Sequence, residues 1–333
     1  MKKLFLFVII ILLSTYSFSQ TAPTMVINKN TGGAVIIPLT EILNITFQNI
    51  SVSGGMIFTR SPLSGGGDIY KMNSDGSGQT KLIDRGGRED NAKLSPDLSK
   101  LVFSSTQSST GAFELFVANS DGSNQVQLTS SAPQFGNTNG IFRSNTKIWY
   151  GNAQTAGYTE IYEINTDGTG NTKLTNFSAG GKQGDVFDFN SDKSKILYYK
   201  QNSSWSPTGE IYTANIDWTN EVNLTDNSTN DGGANISPNG AKVVFHRCEG
   251  SSGYNPPFNI FVMNIDGTQV NKLTNGSGNQ YLTGPKFSPD GSKIAYSFNN
   301  GTQTDIYVMN LDGTNPINLT NTPDQNEILT DWK

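Results

Sequence analysis

The chain has 333 residues and a formal net charge of −5, from 23 Lys+Arg against 28 Asp+Glu, with 35% hydrophobic and only 15% charged residues. Disorder needs low hydrophobicity together with high net charge, so this composition points to a folded chain, and 35 Gly with 10% aromatics suits short strands joined by turns. One His (His246) and one Cys (Cys248) exclude an internal disulfide, a conventional zinc site and chemistry that needs two histidines. The acidic balance disfavours nucleic acid as a partner.

In chain order, Lys2 and Lys3 precede an apolar run over residues 4–13, followed by small and polar residues up to Ser19. A basic start, a short apolar core and small residues at Ser17 and Ser19 describe a secretory signal over residues 1–19. Ten residues span about 15 Å of helix, half of a bilayer core. The mature chain is therefore expected to be exported, without a transmembrane segment, and with a charge of about −7 once Lys2 and Lys3 are removed. Residues 20–53 read as a small β module. Met25-Val26-Ile27-Asn28 and Ala34-Val35-Ile36-Ile37 flank a turn at Asn30-Thr31-Gly32-Gly33, with one further strand or helical turn at Ile42–47. Gly54-Gly55 marks the boundary.

Six repeats follow. An Ile/Leu–aromatic pair recurs at Tyr70, Phe116, Tyr162, Tyr212, Phe261 and Tyr307, with Asn three residues later each time. Then comes an aspartate: Asp75, Asp121, Asp167, Asp217, Asp266 and Asp312, spaced by 46, 46, 50, 49 and 46 residues. Seven residues beyond each lies a leucine: Leu82, Leu128, Leu174, Leu224, Leu273 and Leu319. All but Leu82 are followed by Thr. Each copy parses into four strands, with Asp-Gly as the hairpin signal between two of them. That length and strand count describe a propeller blade.

The first copy lacks its first strand and starts at Met56-Ile57-Phe58, whereas Leu329-Thr330-Asp331-Trp332 at the other end has no copy of its own to join. The expected fold is therefore all-β: a six-bladed β-propeller of four-stranded blades over residues 54–333, closed by the C-terminal strand. Closure removes exposed sheet edges.

Phe287-Ser288-Pro289-Asp290-Gly291-Ser292-Lys293-Ile294-Ala295-Tyr296 and Ile306-Tyr307-Val308-Met309-Asn310-Leu311-Asp312-Gly313-Thr314 resemble the repeat of TolB-type, WD40-like β-propellers. Ser95-Pro96-Asp97 and Ser237-Pro238-Asn239-Gly240 repeat it less completely, and the resemblance covers residues 56–333. Two copies depart: Phe142-Arg143-Ser144-Asn145 stands where Ser-Pro-Asp is expected, and Asp217-Trp218 replaces Asp-Gly. The resemblance implies a periplasmic protein that binds other proteins through a propeller face, without the N-terminal α/β domain of TolB. Residues 20–53 resemble a module found near the start of many exported proteins of the Bacteroidota.

Candidate chemistry is sparse. Propellers of this repeat also decorate prolyl oligopeptidase-like enzymes, but the sequence has no Gly-x-Ser-x-Gly nucleophile elbow. His246 and Cys248 lie two apart on one strand face, where a nucleophile–base pair would sit, and read as structural. The Asn-x-Asp-Gly-Ser/Thr strings read as hairpins rather than calcium loops, and the recurring acids Asp68, Glu114, Glu160, Glu210 and Asp305 as groups that bond loop amides.

Irregular positions are where a unique binding surface is expected. Residues leading into the innermost strands include Glu89, Asp90, Asn91, Asn139, Asp185, Asp231 and Glu327, with Lys93 and Lys182 the few cations nearby. They predict an acidic channel mouth that binds a cation, of which Ca²⁺ is the best match, or a basic segment of a partner; no other cofactor is expected. Loops at 85–88, 205–207 and 254–258 add aromatic and basic side chains. The leading expectation is a noncatalytic, monomeric scaffold, periplasmic, at the envelope or secreted, whose partner is an envelope protein or peptide. The alternative is a carbohydrate-binding or polysaccharide-lyase propeller, against which the acidic positions argue.

Overall fold

The computed structural model describes residues 24–28, 34–38, 55–107, 112–130, 136–155, 158–180, 183–201, 208–250 and 255–333. The signal segment, Ile42–47, Lys182 and the loops at 205–207 and 254 lie outside the described residues. The chain divides into two compact units, Met1–Ser51 and Val52–Lys333. In the first, β1 (Thr24–Asn28) pairs antiparallel with β2 (Ala34–Pro38).

The second unit begins with β3 (Met56–Pro62), β4 (Asp68–Met72) and β5 (Thr80–Ile83), an antiparallel run. A four-stranded antiparallel sheet follows: β6 (Glu89–Leu94), β7 (Lys100–Ser105), β8 (Glu114–Asn119) and β9 (Val126–Gln127). The next is β10 (Asn137–Phe142), β11 (Lys147–Thr155), β12 (Tyr158–Asn165) and β13 (Thr172–Lys173). A third holds β14 (Gln183–Phe189), β15 (Lys195–Gln201), β16 (Gly209–Asn215) and β17 (Val222–Asn223). Then come β18 (Asp231–Ile236), β19 (Lys242–Cys248), β20 (Phe258–Asn264) and β21 (Asn271–Lys272), and after them β22 (Tyr281–Phe287), β23 (Lys293–Asn299), β24 (Thr304–Asn310) and β25 (Ile317–Asn318). These last eight strands form one sheet. Last, β26 (Gln325–Trp332) pairs antiparallel with β3 and completes the first sheet.

The unit is thus a β-propeller, with one 3-10 turn at Phe177–Gly180. It differs from the expected six separate sheets: four are four-stranded, and a single parallel pairing, Phe258 with Tyr281, joins two four-strand groups into an eight-stranded sheet. The rings of those two residues stack at 5.2 Å, which holds the two strand starts side by side.

Apolar side chains explain how the sheets stack. Ile57, Ile69 and Ile83 of the first sheet pack with Leu101, Phe103 and Phe116 of the second. The same pattern continues through Val102 with Tyr150, Trp149 with Tyr198, Leu197 with Phe245, and Val244 with Tyr296. A further cluster joins Ala295 and Ile306 to Met56, Phe58, Leu329 and Trp332. Strands that are apolar on both faces are what such two-sided burial demands.

The repeat signature has a physical reading in these contacts. Each turn aspartate accepts from the backbone N–H and the hydroxyl two residues on, as Asp75 does from Ser77 and Asp312 from Thr314. The glycine after it has φ near +85°, and a Cβ there would meet the carbonyl of the preceding copy's leucine. At Gly122 that clash is with Leu82 O at 2.1 Å, at Gly313 with Leu273 O at 2.3 Å, and at Gly76 with Leu319 O at 2.7 Å. Trp218, the departure, adopts φ +66° without being glycine. Its ring stacks on Trp149 at 5.6 Å and packs edge-on against Tyr198 and Phe177, so aromatic burial offsets the backbone strain.

The recurring acids work with the Thr of Leu-Thr. Thr129, Thr175 and Thr225 each donate to the acid (Glu114, Glu160, Glu210) and accept from the N–H that follows it, on Leu115, Ile161 and Ile211. Glu160 also accepts from the N–H groups of Phe177 and Ser178. Burial works to raise its pKa, but these hydrogen bonds outweigh it and hold the carboxyl at about 2. In the first copy Ile83 replaces the Thr, and Asp68 pairs with Lys81 instead.

Candidate functional site: the central channel

The first strand of every four-strand group carries a register shift. It falls between Asp90 and Lys93, Thr138 and Ile141, Val186 and Asp188, Gly232 and Asn235, Thr283 and Lys286, and Leu329 and Asp331. The bulge puts Asn91, Asn139, Gly233 and Gly284 in the left-handed region, with φ between 54° and 60°, conformations that Asn and Gly adopt most readily. A bulge changes which face a residue presents.

The residues just after the bulge, Lys93, Ile141, Asp188, Asn235, Lys286 and Asp331, line one cavity of about 140 Å³, together with Lys193 and Lys333. These first strands pack in succession, β6 on β10, β10 on β14, β14 on β18, β18 on β22, with β26 against both β22 and β6. The acceptors in this cavity are already used by backbone. Asp331 Oδ2 accepts from Leu94 N at 2.8 Å, and Asn235 Oδ1 from Phe287 N at 2.8 Å. Asp188 Oδ2 accepts from Ile236 N at 3.0 Å and Asn235 Nδ2 at 2.7 Å, while its Oδ1 takes Phe189 N. Each bond reaches the next first strand or its own, so these side chains tie neighbouring first strands together.

The lysines have no such task. Neither Lys93 nor Lys286 forms a hydrogen bond or ion pair with the described residues. Burial pushes both ammonium groups down and repulsion from Lys93 adds to this at Lys286, which reaches about 8, while the Asp188 and Asp331 carboxylates oppose the fall at both. Burial also lowers Lys193, whereas Asp331 holds Lys333 up.

This cavity shares Asp188, Lys193, Asn235, Asp331 and Lys333 with a wider vestibule of about 330 Å³. The vestibule rim is built from Ser-Pro-Asp-type turns, with Pro96, Pro238 and Pro289 exposed. Their serines fix the turns: Ser95, Ser237 and Ser288 donate to Asp97, Asn239 and Asp290 and accept from the N–H of Lys100, Lys242 and Lys293. Where this motif fails, Asn145 accepts from Asp97 N of the neighbouring turn.

Most of the acids expected at a channel mouth are engaged by protein groups. Glu89, Asp231 and Glu327 are fully buried. Arg247 grips Asp231 with two bonds of 2.7 Å and lies over Phe261 at 5.0 Å; Arg60 reaches Glu327 at 2.9 Å and lies over Tyr70 at 4.8 Å. Glu89 accepts from Ser105 at 2.8 Å and from Arg85 N at 3.3 Å. Asp90 is held by Thr59, Arg88 and Asn91 N. Asn91 and Asn139 serve the bulges. Asp185 accepts from Asn139, its Oδ1 has no partner, and burial pushes its carboxyl up to about 7. Among the described residues no three His, Cys, Asp or Glu converge as metal ligands.

His246 and Cys248 do not face each other as a catalytic pair. His246 Nδ1 accepts from Gly284 N at 3.3 Å and burial lowers its pKa to about 4; Cys248 Sγ donates to Asn255 O at 2.9 Å. The loop at 85–88 packs locally, with Arg85 over Phe116 at 4.2 Å and bonded to Gln125. Sequence reasoning passed over Lys286, Asp188 and Asp331. The signal for them is the residue two before each Ser-Pro-Asp or its equivalent, which is polar in five of six copies.

No protein-family model and no curated protein matches the chain. Among solved structures, TolB from Acinetobacter baumannii is similar with a TM-score of 0.63 at 16% identity, over 83% of this chain and 67% of that one. A TolB from Agrobacterium tumefaciens gives 0.58 at 15% identity, covering 83% and 98%. An oligogalacturonate lyase in complex with manganese gives 0.50 at 16%, covering 81% and 73%. Likeness at these identities establishes the β-propeller fold that the chain shares with TolB proteins, and the fold alone.

Proposed function

We propose that the chain is an exported, noncatalytic, closed six-bladed propeller that binds a protein segment through the vestibule end of its channel. Support for six blades comes from the six register-shifted strands and from Gly76 meeting Leu319 across the first and last copies. Export rests on the leader at residues 1–19, and the reading places the protein in the periplasm or at the envelope, as in the Bacteroidota. No helix among the described residues is long and apolar enough to cross a membrane.

The observation that carries the binding role is the funnel itself: a rim of hydrogen-bonded turns narrowing to a lysine-lined neck. A preorganised rim loses little freedom on binding. The lysines also favour an anionic glycan, the rival reading, and they remove the earlier argument against one. Against it, the aromatic residues that line the vestibule, Phe189, Phe287 and Trp332, are buried.

Placing a photo-crosslinking amino acid at Pro238 in the native host tests this. A discrete protein adduct, absent with the crosslinker at exposed Lys195, is the expected result. Glycan-array binding with no protein adduct would replace this reading with the rival one.

A further inference from the structure

The neck carries more positive charge than its carboxylates balance. Four lysines, Lys93, Lys193, Lys286 and Lys333, border one small cavity. The two carboxylates there, Asp188 and Asp331, spend lone pairs on main-chain N–H groups. Lys93 and Lys286 come from different first strands, lie within electrostatic range of each other, and make no hydrogen bond or ion pair with the described residues. Asp188 and Asp331 attract both lysines, but two carboxylates do not balance four ammonium groups around one small cavity, and the excess positive charge favours an added anion. At about 140 Å³ the neck is below the size that holds a whole small-molecule ligand, but ample for one carboxylate, phosphate or sulfate group. N–H donors on both sides of such a group form charge-assisted hydrogen bonds, the strong kind.

We propose that the neck binds a compact oxyanion between Lys93 and Lys286, with Lys193 and Lys333 on its vestibule side. The assignment rests on the funnel reading above for its route of access. The oxyanion is either a carboxylate offered by a protein segment in the vestibule or a free inorganic one, and the chemistry of the neck is the same for both.

Calorimetric titration of the full chain with sodium sulfate, and separately with acetyl-Gly-Gly-Glu-Glu-amide, tests it. One equivalent should bind saturably, and Lys93→Met with Lys286→Met should weaken binding by about a hundredfold, at roughly tenfold per charge-assisted contact. Lys195→Met should leave it unchanged. Peptide binding that depends on the two lysines identifies a protein carboxylate; binding of sulfate alone identifies a free oxyanion. No saturable binding of either probe by the wild type, or equal binding by the double variant, overturns the proposal. The double variant should also melt at or above the wild-type temperature, because it relieves buried repulsion; a large drop would show that the lysines serve the fold and would overturn it too. The crosslink at Pro238 separates the two ideas: an adduct formed by the wild type while neither sulfate nor the peptide binds it saturably removes the oxyanion site and leaves the protein-binding role standing.

Discussion

Replacing Trp332 by alanine should remove a large part of the stability of this fold. Trp332 is 6% exposed and packs with Met56, Phe58, Met72 and Leu329, and its indole Nε1 donates to Ser74 Oγ at 3.1 Å. Truncating a buried Trp costs about 3–5 kcal/mol, and the lost hydrogen bond adds about 1 kcal/mol. A whole domain holds only about 5–15 kcal/mol. At roughly 2–4 °C per kcal/mol for a chain of this size, the melting temperature should fall by on the order of 10 °C. Scanning calorimetry of the purified protein measures it. Ile317→Ala is the matched control: that side chain is 57% exposed on β25 and should shift the melt by about 1 °C or less. The reasoning is refuted if Trp332→Ala shifts the melt no more than this control does. Deleting residues 325–333 goes further, removing the partner strand of β3, and should abolish the cooperative transition.

Three other outcomes follow from buried polar groups. Asp185 titrates near 7 rather than 3.8, so its fold-destabilising charge develops as pH rises between those values; Asp185→Asn should stabilise by up to about 4 kcal/mol at pH 8 and by little at pH 4 in urea melts. An equal effect at both pH values would contradict this. Thr175→Val strands the Ile161 N–H and should cost about 1–3 kcal/mol at pH 7. Glu160, held at about 2, contributes stability present above about 4.5 and lost as pH falls through about 2, so part of the Thr175→Val cost should vanish over that interval; a cost independent of pH would show that Thr175 does not act through Glu160. Arg247→Met should cost about 3–5 kcal/mol by leaving Asp231 buried and unpaired, and adding Asp231→Asn should recover much of it; no recovery would show that the charge pair is not the cause.

The repeats were legible because their causes are local. Asp75 and its five counterparts bond two residues ahead, and the turn glycines are needed because a neighbouring leucine carbonyl sits against them. The Thr–acid clamp was legible as a shared structural task for the same reason. The lining of the channel was less legible, because it depends on a bulge in each first strand. The bulge breaks the strand's alternation, so Glu89, Asp231 and Glu327 turn into the protein while Lys93, Asp188, Lys286 and Asp331 line the channel. The parallel Phe258–Tyr281 pairing was not legible, since it depends on two separate strands starting at the same height.

Binding is assigned to the channel neck rather than to the acids leading into the first strands. A crystal structure of the protein soaked in sodium selenate tests it most directly, since selenium can be located by anomalous scattering. The account predicts one ordered selenate between Lys93 and Lys286. An empty neck at saturating selenate would contradict it.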